Sequence, residues 1–179
     1  MKLTLKDVIF AAIVAAVMNV ISFVAVVAVL GVPIPGIRTI VVAPFYGLLA
    51  VVSIKRINKP ISLSLISFLC GAPLGFISPA IFLFTFGSGI LADIIRNIFL
   101  KDTSKVYNLV ITAAVYMGAM MIIATIVDIL MLRETTLGQV FANPIMQIFG
   151  LVSTCALGGI GGFLGSKITK EFKSASIIK

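Results

Sequence analysis

The sequence predicts an all-α integral membrane protein, a bundle of six transmembrane helices with the N- and C-termini both cytoplasmic. Three observations carry that expectation. The 179 residues are 60% hydrophobic and 11% charged, with a mean hydropathy of +1.23, which is the composition of a membrane chain and not of a soluble domain. The apolar residues gather in runs of about 20, the length that crosses a ~30 Å hydrocarbon core as a helix. The basic residues sit in short clusters between those runs and favour one side, as topology requires. The same clustering argues against nucleic acid as the reason for the net charge of +8. The expected organisation is one transmembrane domain over residues 1–179, with no soluble catalytic domain.

The first run, Val8–Gly31, has neither charge nor proline; Lys2, Lys6 and Asp7 precede it, and Gly31-Val-Pro-Ile-Pro35-Gly36 ends it. It is too long for the apolar part of a signal peptide and has no A-x-A site at its end, so it is expected to be retained. The second span is about 37–54, bracketed by Arg38 and by the pair Lys55-Arg56. The uncharged stretch from Pro60 to Ala92 is too long for one helix. It breaks at Gly71-Ala-Pro73-Leu-Gly75 and at Ser78-Pro79. This gives spans of about 61–77 and 79–100, with Pro79 in a first helical turn, where its missing N–H costs nothing. The fifth and sixth spans are about 107–132 and 140–166.

Twelve of the fourteen basic residues fall on the side of the two termini, and only Arg38 and Arg133 fall on the other. That bias places both ends in the cytoplasm, which needs an even number of spans. Six satisfies it. There is no histidine, the commonest metal ligand and general base, so neither a metal site nor a cofactor is expected. The segment GGIGGFLGSK at residues 158–167 resembles a phosphate loop but lacks the G-K-[ST] ending and lies inside an apolar helix. Cys70 and Cys155 also lie in apolar runs and read as packing residues.

Small residues four apart let helices approach closely in lipid. Ala11, Ala12, Ala15 and Ala16 form two such pairs in the first span, on the side that also carries Asn19. They pack within the bundle or dock another membrane subunit. Gly158, Gly161, Gly162 and Gly165 form two more in the sixth. Asp93 has Arg96 three residues on, a spacing that makes an intrahelical pair. Asp128 lies near the outer end of the fifth span. The outer half holds the remaining polar groups: Arg38 and Thr39, Thr85 and Ser88 interleaved with Phe82, Phe84 and Phe86, and Gln139, Asn143 and Gln147 at i, i+4 and i+8. An amide stripe in an apolar helix suits either interhelical bonding or a wet cavity. The expected substrate-binding set is therefore Arg38, Phe82, Thr85, Asp128, Asn143 and Gln147.

These features resemble one family, the substrate-binding membrane subunit (S component) of energy-coupling factor transporters. The resemblance is carried by the opening Leu3-Thr4-Leu5-Lys6-Asp7 before Ala11-Ala12-x-x-Ala15-Ala16, by the Gly/Pro-rich first loop, by the size and topology, and by Gly87-Ser-Gly89-Ile-Leu-Ala-Asp93. It implies a capture subunit in a prokaryotic plasma membrane, not itself an enzyme, for a small water-soluble organic micronutrient such as a vitamin or its precursor. The metal-specific members have a histidine-rich N-terminus that this chain lacks. It further implies docking through Ala11, Ala12, Ala15 and Ala16 onto a transmembrane coupling subunit, with ATP hydrolysed by two cytoplasmic ATPase subunits, and a pocket opening outward under the first loop. Two other readings stand beside it: a ligand-free scaffold of the cell envelope, and a gradient-driven carrier. A membrane enzyme is disfavoured, because Asp93 and Asp128 fall near opposite faces, too far apart to cooperate.

Overall fold

A computed structural model describes residues 3–29, 36–76, 78–132 and 143–175. Among them are six α-helices and no strand: α1 (Leu5–Ala28), α2 (Ile37–Ile57), α3 (Ser62–Gly75), α4 (Pro79–Phe99), α5 (Val106–Leu132) and α6 (Pro144–Ala175).

α1 begins before the apolar run, because Thr4 and Asp7 close a capping box. The Thr4 N–H donates to Asp7 Oδ2 at 3.0 Å, and the Asp7 N–H donates to Thr4 Oγ1 at 3.4 Å, satisfying donors that the first turn leaves free. Gly36, at φ +69°, precedes α2 in a left-handed conformation that costs glycine nothing. Asn58, at φ 48°, ends α2 in the same region, which asparagine tolerates better than most. Lys55 and Arg56 occupy its last turn, where the helix dipole favours cations. Pro79 opens α4 after Ser78, as expected.

Five of the helices are long and apolar enough to cross a membrane; α3 is the exception. Its 14 residues reach about 21 Å at 1.5 Å per residue, short of the hydrocarbon thickness. The span expected over 61–77 is therefore a shorter helix. It runs through Gly71 and Pro73 and ends at Gly75, the last residue of the segment that the sequence marks as a break.

The faces of α1 show which solvent the bundle is built for. Ala11, Val14, Ala15, Met18, Ser22 and Ala25 are buried, a stripe of helical period. Ile9, Ile13, Val20, Phe23, Val24 and Val27 are exposed. Four of the six buried residues are small and the large apolar ones mostly face out, the reverse of a helix bordering water and the arrangement that helix packing in lipid favours.

α2 and α5 are central. α2 packs against α1, α3, α5 and α6, while α4 packs between α3 and α5. The closest approach is between α2 and α6. A Cβ on Gly161 would overlap the carbonyl of Pro44, one on Gly47 would overlap that of Gly158, and one on Gly165 would stand 2.6 Å from the Leu48 oxygen. The glycine face of the sixth span is thus an interior seam. Gly162 turns to α5, where a Cβ would lie 2.7 Å from that of Ala113.

Candidate functional site

At the end of the bundle where α2 begins, five helices line a small cavity of about 30 Å³. α2 contributes Arg38, Thr39, Val42 and Tyr46, which share a face because the spacing follows the helical turn. Ser22 enters from α1, Leu74 from α3, Phe84 and Thr85 from α4, and Met120 from α5. The lining mixes apolar walls with a few placed polar groups, the composition of a small-molecule site.

Arg38 is the charged residue among those lining the cavity. Its guanidinium donates to Ser22 Oγ. A cation in the first turn of a helix opposes the helix dipole, at a cost of about 0.3–1 kcal/mol, and one serine hydroxyl cannot satisfy five N–H donors. The N-terminus of α2 and the guanidinium both make this end of the cavity positive. The arrangement suits a ligand carrying a carboxylate or another oxygen-rich anionic group.

Beneath the cavity lies a hydrogen-bonded floor. The Tyr46 hydroxyl donates to the Met18 carbonyl at 3.0 Å and lies 4.0 Å from Cys70 Sγ. Cys70 donates to Asn19 Oδ1 at 3.3 Å, so Asn19 makes the interhelical bond that a mid-membrane amide needs. Deeper still, Ser67 Oγ donates to the Tyr116 hydroxyl at 3.1 Å. These bonds fix the rings that close the cavity from below. Both cysteines are free thiols; Cys70 is buried.

Of the expected substrate-binding set, Arg38 and Thr85 meet here, together with Thr39. Phe82 does not. Gly71 and Gly75 of α3 leave room for its ring, and it stacks on Phe86 at 5.4 Å with Phe68 edge-on at 6.0 Å; Phe84 forms the wall instead. Asn143 is exposed and precedes α6, where its Oδ1 accepts from the Ile145 N–H at 3.0 Å, so it caps the helix. Gln147 lines a separate apolar groove between α5 and α6. The side chains of Asp128, Arg133 and Gln139, and the loop at 30–35, lie outside the described residues. Ser88 is buried with its hydroxyl on the Thr85 carbonyl at 2.7 Å.

Sequence reasoning passed over Ser22, Val42, Tyr46, Leu74 and Met120, and named Phe84 only as a neighbour of Thr85. Tyr46 did leave a signal: a tyrosine inside an apolar run must find a partner for its hydroxyl.

The four alanines of α1 divide. Ala11 and Ala15 are buried against the bundle, whereas Ala12 and Ala16 are exposed. The Asp93–Arg96 pair forms at 3.1 Å with both side chains buried. Asp93 Oδ2 also accepts from the backbone N–H and the hydroxyl of Ser64, each at 2.7 Å.

No protein-family model, curated protein or solved structure matches the chain. The composition, the inverted faces of α1 and the five helices of membrane-crossing length make it a multi-pass membrane protein.

Proposed function

We propose that the chain is the substrate-capture subunit of an uptake transporter of the energy-coupling factor type, binding a small water-soluble organic micronutrient. The observation that carries the proposal is the cavity at the start of α2, where a partly buried arginine, bonded to Ser22 among the described residues, stands among hydroxyls, aromatic wall and aliphatic side chains. A ligand-free scaffold has no use for a cation held there. The cargo would bind with an anionic group on Arg38 and its apolar part against Phe84 and Met120.

In this reading six segments cross or enter the membrane, the shorter α3 among them, and both termini lie in the cytoplasm. The cavity then opens outward. α1 would meet the coupling subunit through the exposed Ala12 and Ala16; Ala11 and Ala15 serve the interior. Support for that docking face comes from the packing of α1 chiefly on α2 and α3 alone, which leaves its outer side free. ATP hydrolysis belongs to separate cytoplasmic subunits.

The test is a thermal-unfolding screen of the purified protein against soluble vitamins and their precursors. A ligand at 100 times its Kd stabilises by about 2.7 kcal/mol, which for a chain of this size raises Tm by roughly 5–10 °C. One compound, or a group sharing an acidic moiety, should raise Tm saturably. A screen in which no compound does so returns the chain to the scaffold reading.

A further inference from the structure

The other end of the bundle carries a second cavity, independent of the capture reading. A cleft of about 190 Å³ opens between the α2–α3 turn and the end of α4, lined by Asn58, Lys59, Arg96, Asn97, Lys101 and Thr103 together with Ile54. Its walls are fixed. Arg96 donates to Ser62 Oγ and to the Lys59 carbonyl, each at 2.7 Å, and Asn97 donates to the Pro60 carbonyl at 2.9 Å.

The charges around it can be counted. Three basic residues line the cleft and no acidic residue does. Asp7 pairs with Lys59, and Asp93 with Arg96. Asp102 turns instead to Ser104 and to Lys105 at 3.7 Å. Three cations less two paired carboxylates leave one positive charge, centred on the exposed Lys101. Hydroxyl and amide groups of Thr103, Asn97 and Asn58 stand beside it. This is the complement of a singly charged phosphodiester, whose oxygens accept from ammonium, hydroxyl and amide donors.

Next in the chain to the lining residues Pro60 and Asn97 come exposed apolar side chains, Ile61, Ile98 and Phe99, the last exposed to 76%. A soluble phosphate has no use for exposed apolar residues at this end of the bundle, whereas a phospholipid lays its acyl chains along them. Basic pockets between membrane helices are where anionic headgroups are held.

We infer that this cleft binds the headgroup phosphate of an anionic phospholipid, with Lys101 as the charge that selects it. The inference rests on the chain lying in a membrane and not on what it transports.

Native mass spectrometry of the purified protein in mixed micelles tests it, with phosphatidylglycerol and phosphatidylcholine of identical acyl chains as probes. Wild type should retain phosphatidylglycerol in preference. One lysine at a membrane surface contributes about a fivefold change in retention of an anionic lipid, so Lys101→Gln should lose about that factor and keep its elution volume. Lys167→Gln, which removes an exposed charge on α6 lying over the Phe163 ring, should change nothing. Equal retention of the two lipids, or equal behaviour of the two variants, would overturn the inference. Displacement of phosphatidylglycerol by millimolar inorganic phosphate would also overturn it, by making the cleft a site for a soluble anion.

Discussion

Asp93 shows what a single side chain contributes here. It receives the Ser64 N–H and hydroxyl on one oxygen and the charge of Arg96 on the other. The Arg96 contact is a charge contact and not an aligned hydrogen bond, since Asp93 Oδ1 has no geometric hydrogen-bond partner. Arg96 in turn reaches Ser62 and the Lys59 carbonyl. The knot therefore ties α4 to the start of α3 through groups buried from solvent. Removing one member of a buried pair leaves an uncompensated charge and costs about 3–5 kcal/mol. Asp93→Asn is expected to lower the thermal midpoint in detergent by roughly 6–20 °C. The double change Asp93→Asn with Arg96→Met should recover much of that loss; a drop below 2 °C for the single variant would mean that the pair is solvated. The pairing itself was legible, because a spacing of three brings two side chains onto one helix face. Its serine partners were not, because they come from another helix and no spacing within α4 points to them. Two local signals were legible and overlooked. Thr4-x-x-Asp7 is a capping box, so the helix starts at Leu5, ahead of the charged residues. Asn143-Pro144 is a capping residue before a first-turn proline, so the amide stripe read from Gln139 to Gln147 is not a stripe of one helix.

Among the helices, the seam between α2 and α6 sets how closely the bundle closes. Gly161 lies where Pro44 removes a backbone N–H from α2, and its missing side chain lets the two backbones meet. A methyl group there cannot be absorbed, since what it meets is backbone and not the end of a flexible side chain. Overpacking typically costs about 1–3 kcal/mol, and Gly161→Ala should lie at or above the top of that range. Gly159→Ala, whose Cβ would find Val110 Cγ1 at 3.6 Å and Ala114 Cβ at 3.8 Å, should stay within about 0.5 kcal/mol. Chemical unfolding of the two variants side by side checks the contrast, and equal stability would show that the helices can slide apart without loss. That the sixth span has a close-packing face could be read from Gly158 to Gly165, because small residues four apart have one common use in lipid. Which helix it meets could not, since hydropathy sets the length of an element and not its neighbour. The shortness of α3 was half legible: its breaks were marked by Pro73, Gly75 and Pro79, but the apolar composition continues through them.

For the whole molecule, topology and capture are linked, because the cavity of Arg38 lies at the end opposite the basic cleft of Lys101. In the proposed six-span topology twelve of the fourteen basic residues fall on the side of that cleft, and the positive-inside rule then turns the Arg38 cavity outward. Single cysteines at positions 101 and 133, in a background lacking Cys70 and Cys155, should label differently in intact cells. Position 133 should react with an impermeant maleimide and position 101 should be protected; the opposite pattern would turn the cavity to the cytoplasm. Three of the nine residues lining the cavity were readable beforehand. Arg38, Thr39 and Thr85 stand out because polar groups are rare in such runs, whereas Phe84 could not be told from Phe82 until the α3 glycines drew Phe82 away. The most direct test of capture is mass spectrometry of small molecules released from the purified protein, wild type beside Arg38→Met. Loss of a charge-assisted hydrogen bond costs about 1.5–3 kcal/mol, or roughly 10- to 150-fold in affinity. A small organic acid should leave wild type in near one-to-one amount and be absent from Arg38→Met at the same elution volume. The same molecule retained by both proteins, or none released by wild type after growth in rich medium, would contradict a capture site built on Arg38.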